Sequence, residues 1–266
     1  MFRAEQRAEF EVKVMKKSKK INVGSEIELR QETWSFADSI AHFDQHILQS
    51  VPHCQEQREY IAALSKFFLY SGSRVYEIGV STGGLAQALL AYMPERDFQY
   101  IGLDLEPEMI AKARERLKEE PRFQALQANA TTFDFAPASV IISYYTLQFI
   151  PPVERLPLLK RLYQALTPGG ALILYEKTLG ENAPIQDLLN QLYLDFKSSQ
   201  GLSSEAILNK SLALRGVSLP ISLAQNISQL TSAGFESVEL VYRAYCFAGF
   251  LALKPACFDS AQQAKE

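Results

Sequence analysis

The sequence predicts an α/β fold: a mixed, mainly parallel sheet with helices on both faces and a helical lid. Three observations predict it. Strand-like apolar runs alternate with helix-length segments from residue 74 to residue 176, the pattern of a parallel sheet covered on both sides. The run Arg74-Val75-Tyr76-Glu77-Ile78-Gly79-Val80-Ser81-Thr82-Gly83-Gly84 leaves an apolar strand through an acid, breaks into small residues and enters a helix. About 25 residues beyond Gly79, the run Gln99 to Leu103 ends in a second acid, Asp104.

The elements follow in order. Residues 1–30 are polar and weakly periodic, a mobile or loosely helical extension. Helical spacing of Phe36, Ile40, Phe43, Ile47 and Leu48 predicts a helix over 34–52, stopped by Pro52. A second helix over 55–70 carries Tyr60, Ile61, Leu64, Phe67 and Phe68 on one side. The alternation then reads strand 74–78, helix 83–93, strand 98–103, helix 107–119, strands 123–127 and 138–143, helix 153–166 and strand 170–176. Pro107 suits a first helical turn, where its missing N–H costs nothing. Thr167-Pro168-Gly169-Gly170 closes one element and opens the next. Residues 182–216 break the rhythm as two helices, 184–198 and 203–215. Helix 223–233 and strands 236–243 and 246–253 follow, and a terminal strand pair makes the sheet mixed. The expected units are an extension (1–30), a helical cap (31–72), an α/β core (73–181 and 223–256), a lid (182–222) and a tail (257–266).

At 266 residues and 47% apolar, the chain can bury an ample core. A net charge of -3 gives no field favouring nucleic acid or an anionic membrane, so no direct nucleic-acid binding is expected. Lys13, Lys16, Lys17, Lys19 and Lys20 crowd the N-terminal segment and read as a solvated arm. Cys54, Cys246 and Cys257 form no close pair and no metal spacing, as in a reducing compartment. The longest uncharged run, 135–153, is broken by prolines and is no membrane span, and no signal-peptide core opens the chain. The expected location is the cytoplasm. His42, His46 and His53 lack a fixed third ligand and read as surface histidines, with no metal site.

The glycine turn departs from the dinucleotide fingerprint: Glu77 ends the strand and Ser81 stands where a second glycine would be. A nucleoside ligand without phosphates fits better. A carboxylate at the end of the second strand, Asp104, accepts hydrogen bonds from both hydroxyls of a ribose. Its competing structural role is to cap the helix beginning at Pro107. Asn129, after strand 123–127, can hydrogen-bond a nucleobase edge.

These motifs, together with Tyr145-Thr146-Leu147-Gln148-Phe149, Leu166 to Gly170 and Glu176-Lys177, resemble the class I S-adenosylmethionine-dependent methyltransferases, whose fold is Rossmann-like. Within that superfamily the chain is similar to the carboxy-S-adenosylmethionine synthases, which prepare a carboxymethyl donor for wobble-uridine modification in tRNA. The similarity runs from Trp34-Ser35-Phe36 to the final strand, about 220 residues. It implies S-adenosylmethionine, or a carboxylated derivative, as cofactor. Gly79, Val80 and Ser81 would line its methionine part, Asp104 the ribose, and Asn129 and Ala130 the adenine, with Glu77, Gly83, Leu105 and Tyr144 as further cofactor-binding residues. Tyr144 stands where the family has an Asn near the sulfonium, and Asn129 where it has an Asp. Two further departures bear on the reaction. Cys54 replaces a cofactor-side Tyr, and Ser211 replaces the arginine that holds the added carboxylate. Serine cannot supply a bidentate, charge-assisted pairing. Arg215, one helical turn on, is a weak substitute, and Lys210 points to another side of the helix.

The expectation is an enzyme, an S-adenosylmethionine-dependent methyltransferase acting on a small molecule by in-line displacement. Tyr144, Tyr145 and Gln148 would stand nearest the reacting centre, with His53 as a base for the acceptor. The alternatives are carboxy-S-adenosylmethionine synthesis from prephenate and a non-catalytic cofactor-binding protein. The resemblance also implies a homodimer.

Overall fold

A computed structural model describes residues 20–22, 28–30 and 43–256. The lysines at 13–19, residues 34–42 with His42, and the tail with Cys257 lie outside the described residues. Two short strands, β1 (Lys20–Asn22) and β2 (Glu28–Arg30), pair antiparallel where the sequence predicts a loosely helical extension.

The cap begins with α1 (Phe43–Ser50) and α2 (Cys54–Ser65). α2 ends five residues before the expected 70, in a short turn, and Tyr60 and Phe67 are exposed, at 42% and 76%. Ile61 is fully buried and Leu64 and Phe68 pack on the core, so only part of the predicted apolar side faces inward.

The core alternates as the sequence predicts. It runs β3 (Ser73–Ile78), α3 (Gly84–Tyr92), β4 (Phe98–Asp104), α4 (Pro107–Arg116), β5 (Phe123–Gln127) and β6 (Ala138–Tyr144). A single 3-10 turn, Leu147–Phe149, leads to α5 (Pro152–Ala165) and β7 (Leu166–Leu179). The lid is α6 (Ala183–Ser199) and α7 (Ser204–Ala213). β8 (Ile221–Ser222), α8 (Leu223–Ala233), β9 (Ser237–Ala244) and β10 (Phe247–Leu253) complete the chain. β7 is twice the expected length because it starts directly from the end of α5 and continues past Glu176 to pair with β8. Among the described residues no helix is long and apolar enough to cross a membrane.

Eight strands form one sheet among the described residues, in the order β5-β4-β3-β6-β7-β10-β9, with β8 beside β7. β3 to β7 are parallel, whereas β10 runs antiparallel between β7 and β9. The central strand β6 is buried along six of its seven residues, as a strand covered on both faces must be. One core face unites Val75, Leu85, Leu89, Tyr100, Ile110 and Ile142, beneath α2, α3 and α4. The opposite face unites Ile78, Ile141, Leu158, Leu162, Leu172 and Leu230, beneath α5 and α8. The strand order reverses between β3 and β6, and ligands of open α/β sheets bind at the carboxyl ends of the strands at such a point.

Candidate functional site

A cavity of about 490 Å³ opens at that reversal, lined from the ends of β3, β4 and β6 and covered by α1 and the lid. Its floor is the glycine turn. Gly79 takes φ +76°, and its N–H and that of Val80 both donate to the Leu103 carbonyl, at 2.7 and 2.9 Å. A Cβ on Gly79 would lie 2.1 Å from Thr146 Oγ1, so only glycine fits the space. Ser81, with φ +51°, adopts the left-handed conformation of the glycine it replaces. Gly83 also has positive φ but does not line the cavity: it caps α3 and faces Ala113 and Leu117. Gly84 takes its place in the lining.

Asp104 ends β4 and binds both sides of the crevice together. Its Oδ2 accepts from the Ser81 N–H at 2.8 Å and its Oδ1 from the Glu106 N–H at 3.0 Å. Burial pushes its carboxyl up, and the backbone N–H groups of Glu106, Ser81 and Leu105 oppose that. Asp104 is not the cap of α4, because that position belongs to Glu106, whose side chain makes no capping bond. Each carboxylate oxygen keeps acceptor capacity for a further donor. Leu105 is largely exposed at the rim of the cavity. Asn129 and Ala130 also line it. Asn129 Oδ1 accepts from the Thr131 N–H and Oγ1, so its amide nitrogen is the group it can offer.

Glu77 lines the cavity from the end of β3 and is fully buried. Desolvation pushes its carboxyl up to about 8, and a hydrogen bond from Tyr100 Oη at 2.7 Å opposes the shift. At neutral pH it is therefore mainly a neutral carboxylic acid.

Tyr144 and Tyr145 line the cavity, but their hydroxyls are committed elsewhere. Both donate to Gln57 Oε1, at 3.0 and 2.8 Å, and Gln57 Nε2 donates to the Pro52 carbonyl. Burial holds both phenols well above their ordinary range, so neither is a base. Gln148 braces the site. Its Nε2 donates to the Tyr145 carbonyl and its Oε1 accepts from the Lys177 N–H. Cys54 is buried with Val51, Cys246 and Phe247 and is not part of the lining; its Sγ meets the Tyr144 hydroxyl at 3.6 Å.

His53 is not placed to act as a base. It sits outside the cavity, exposed, with φ +53°, and its Nδ1 meets the Tyr242 hydroxyl at 3.3 Å. The histidine that does line the cavity is His46, only 1% exposed. Its Nε2 meets Ser50 Oγ at 3.2 Å, and its Nδ1 makes no hydrogen bond to a described residue. Burial, aided by Lys210 and Lys197, pushes it down to about 3, so the ring is neutral. A surface reading of this histidine fails because α1 turns that face inward. Its Asp44 accepts from Thr82 Oγ1 at 2.6 Å and pairs with Arg116, which ties the cap to the glycine turn. No cluster of metal-ligating side chains occurs among the described residues.

Lys210 does not point away from the site. It lines the cavity with Lys177 and Tyr193, while Ser211 and Arg215 are exposed. Lys177 and Lys197 lie over the Tyr193 ring, at 5.0 and 4.4 Å. Burial pushes Lys210 down to about 7, helped by Lys197, and Lys197 down to about 8, helped by Lys177. Two lysines of the lining, Lys177 and Lys210, therefore lie near a third cation, Lys197, a grouping that an anion would relieve.

This fold, with a glycine cradle on one strand and a ribose-type acid on the next, defines an S-adenosylmethionine-dependent transferase of the class I methyltransferase architecture. Residues 75–170 match a methyltransferase domain family. Human N-acetylserotonin methyltransferase, solved with S-adenosylmethionine, superposes with a TM-score of 0.59 at 20% identity, over 83% of this chain and 58% of that one, a likeness of fold. A Staphylococcus epidermidis carboxy-S-adenosyl-L-methionine synthase is 34% identical over 84% of this chain and 97% of its own. One from Ectopseudomonas mendocina is 37% identical over 81% and 90%. The chain belongs to the carboxy-S-adenosyl-L-methionine synthase family. The residues present fit the cofactor: the cradle at Gly79 closes if a Cβ is added, and Asp104 supplies the acceptor a ribose needs.

Proposed function

We propose that the protein carboxylates its cofactor, making carboxy-S-adenosylmethionine with prephenate as the carboxyl source. Prephenate would release CO2 and hydroxide as it aromatises to phenylpyruvate. The hydroxide would leave as water with the methyl proton, and the methyl carbon would take up the CO2. The cofactor supplies a methyl group activated by a positively charged sulfur. Replacing one methyl hydrogen by a carboxylate creates an anion where there was none, and a buried anion requires a cation beside it. Lys210 in the cavity wall is the observation that carries this reading. It restores, from the neighbouring position, the charge that Ser211 lacks. Lys177 and Tyr193 stand with it. Asp104, Asn129 and Ala130 would hold the nucleoside, and Glu77, Val80 and Ser81 would border the methionine part. Tyr144, Tyr145 and Gln148, locked by Gln57 and the backbone, would shape the space around the sulfur and exclude water.

The test is incubation of the full chain with S-adenosylmethionine and prephenate, read by mass spectrometry. The expected product is the cofactor heavier by one CO2. Lys210→Met should weaken binding of that product about 10- to 150-fold, the range of a charge-assisted hydrogen bond, and leave binding of the plain cofactor near wild type. A bound cofactor that never gains a carboxyl group would sink the proposal. Methyl transfer to a small molecule is the second reading, favoured by Tyr144 at the family's Asn position. Formation of S-adenosylhomocysteine in place of the carboxylated product would select it.

A further inference from the structure

The reactions considered above leave one cation of the cavity without a role. Arg58 reaches the lining from α2, beside Gly84 and close enough to Glu77 to act on its charge. Its guanidinium lies against the first residue of α3. A Cβ built on Gly84 would fall 2.8 Å from Nη1, 2.9 Å from Cζ and 2.9 Å from Nη2. Gly84, unlike Gly79 and Gly83, has no positive φ. The backbone does not require glycine there, but a Cβ would push the end of the Arg58 side chain aside.

Arg58 Nε is buried and makes no hydrogen bond to a described residue. The acids nearby are otherwise engaged. Asp44 holds Thr82 and Arg116, Asp104 holds the Ser81 and Glu106 N–H groups, and Glu77 accepts from Tyr100. The cap of α3 is Gly83, with no side-chain bond to the free N–H groups of the first turn. A planar cation and a helix N-terminus thus converge on one spot, and together they select a carboxylate.

We propose that Arg58 binds the α-carboxylate of the cofactor's amino-acid end, together with the first-turn N–H groups of α3. Arg58 is then a binding residue that sets selectivity for an intact methionine tail. The assignment rests on cofactor identity and not on which group is transferred, so its test reads binding alone.

The experiment is calorimetric titration of the full-length chain with S-adenosylmethionine and with decarboxylated S-adenosylmethionine, which lacks only that carboxylate. The wild type should prefer the intact cofactor by about 10- to 150-fold, the range of a hydrogen bond between charged partners. Arg58→Gln should erase the preference by weakening only the intact cofactor, and Arg58→Lys should keep part of it. If Arg58→Gln does not fold, Gly84→Ala decides the matter, because its methyl displaces the guanidinium while Arg58 remains. Selective weakening of the intact cofactor by Gly84→Ala supports the assignment. Equal binding of the two ligands by the wild type, or equal weakening of both by the variants, overturns it.

Discussion

Gly79→Ala tests the cradle on which the cofactor site stands. The added Cβ would meet Thr146 Oγ1 at 2.1 Å, Cγ2 at 2.7 Å and Cβ at 2.9 Å, all inside van der Waals contact. Two costs add. Alanine at φ +76° pays about 1–2 kcal/mol for the left-handed conformation. Forcing extra volume into a packed site adds about 1–3 kcal/mol. Gly79→Ala should therefore destabilise the protein by about 2–5 kcal/mol in urea unfolding, and weaken cofactor binding as the turn moves. Only the steric part depends on Thr146. The double variant Gly79→Ala/Thr146→Ala removes two of the three close atoms, so a double-mutant cycle should show a favourable coupling of about 1–3 kcal/mol. A loss below about 1 kcal/mol for Gly79→Ala would refute the cradle geometry. So would strict additivity in the cycle.

Two further outcomes follow from buried acids. Glu77 titrates near 8 in the folded protein against an ordinary 4.5, so the native state holds the extra proton between those values and stability falls as pH rises through that window. The displacement is worth about 5 kcal/mol across the window. Glu176, also buried and raised to about 8, titrates in the same window. Glu77→Gln, which keeps an acceptor for Tyr100, should therefore lessen this dependence in urea titrations at pH 6 and pH 9 without abolishing it; an unchanged slope would show that Glu77 does not contribute. Asp104→Asn should weaken S-adenosylmethionine binding by about 10- to 150-fold through loss of the charged acceptor, measured calorimetrically on protein whose melting temperature is checked in parallel. Unaltered affinity would remove Asp104 from the ribose.

Much of the cofactor side was legible in the sequence. The order strand, acid, small residues, helix at 74–93, with Asp104 after the next strand, depends on local periodicity and on backbone freedom at Gly79, which neighbours in sequence dictate. Gly83 caps the helix and does not line the cavity, since positive φ serves a helix cap as readily as a ligand. That His46 and not His53 lines the cavity follows from how the cap docks. Asp44 fastens α1 to Thr82 and Arg116, contacts 38 and 72 residues apart in the chain.

The sequence by itself determined the alternation of strands and helices and, through its family resemblance, the identity of the cofactor. The alternation comes from short-range periodicity, and the cofactor from the order in which motifs follow one another along the chain. Only the tertiary structure decided which charges enter the cavity. Arg58, Lys177 and Lys210 come from α2, β7 and α7, and periodicity does not say which face of a lid helix turns inward. A lysine on a mixed helix reads as solvated until packing buries it. Here the lid closes over the crevice and brings Lys210 into its wall; desolvation there lowers its hold on its proton, and an anion beside it would restore the charge.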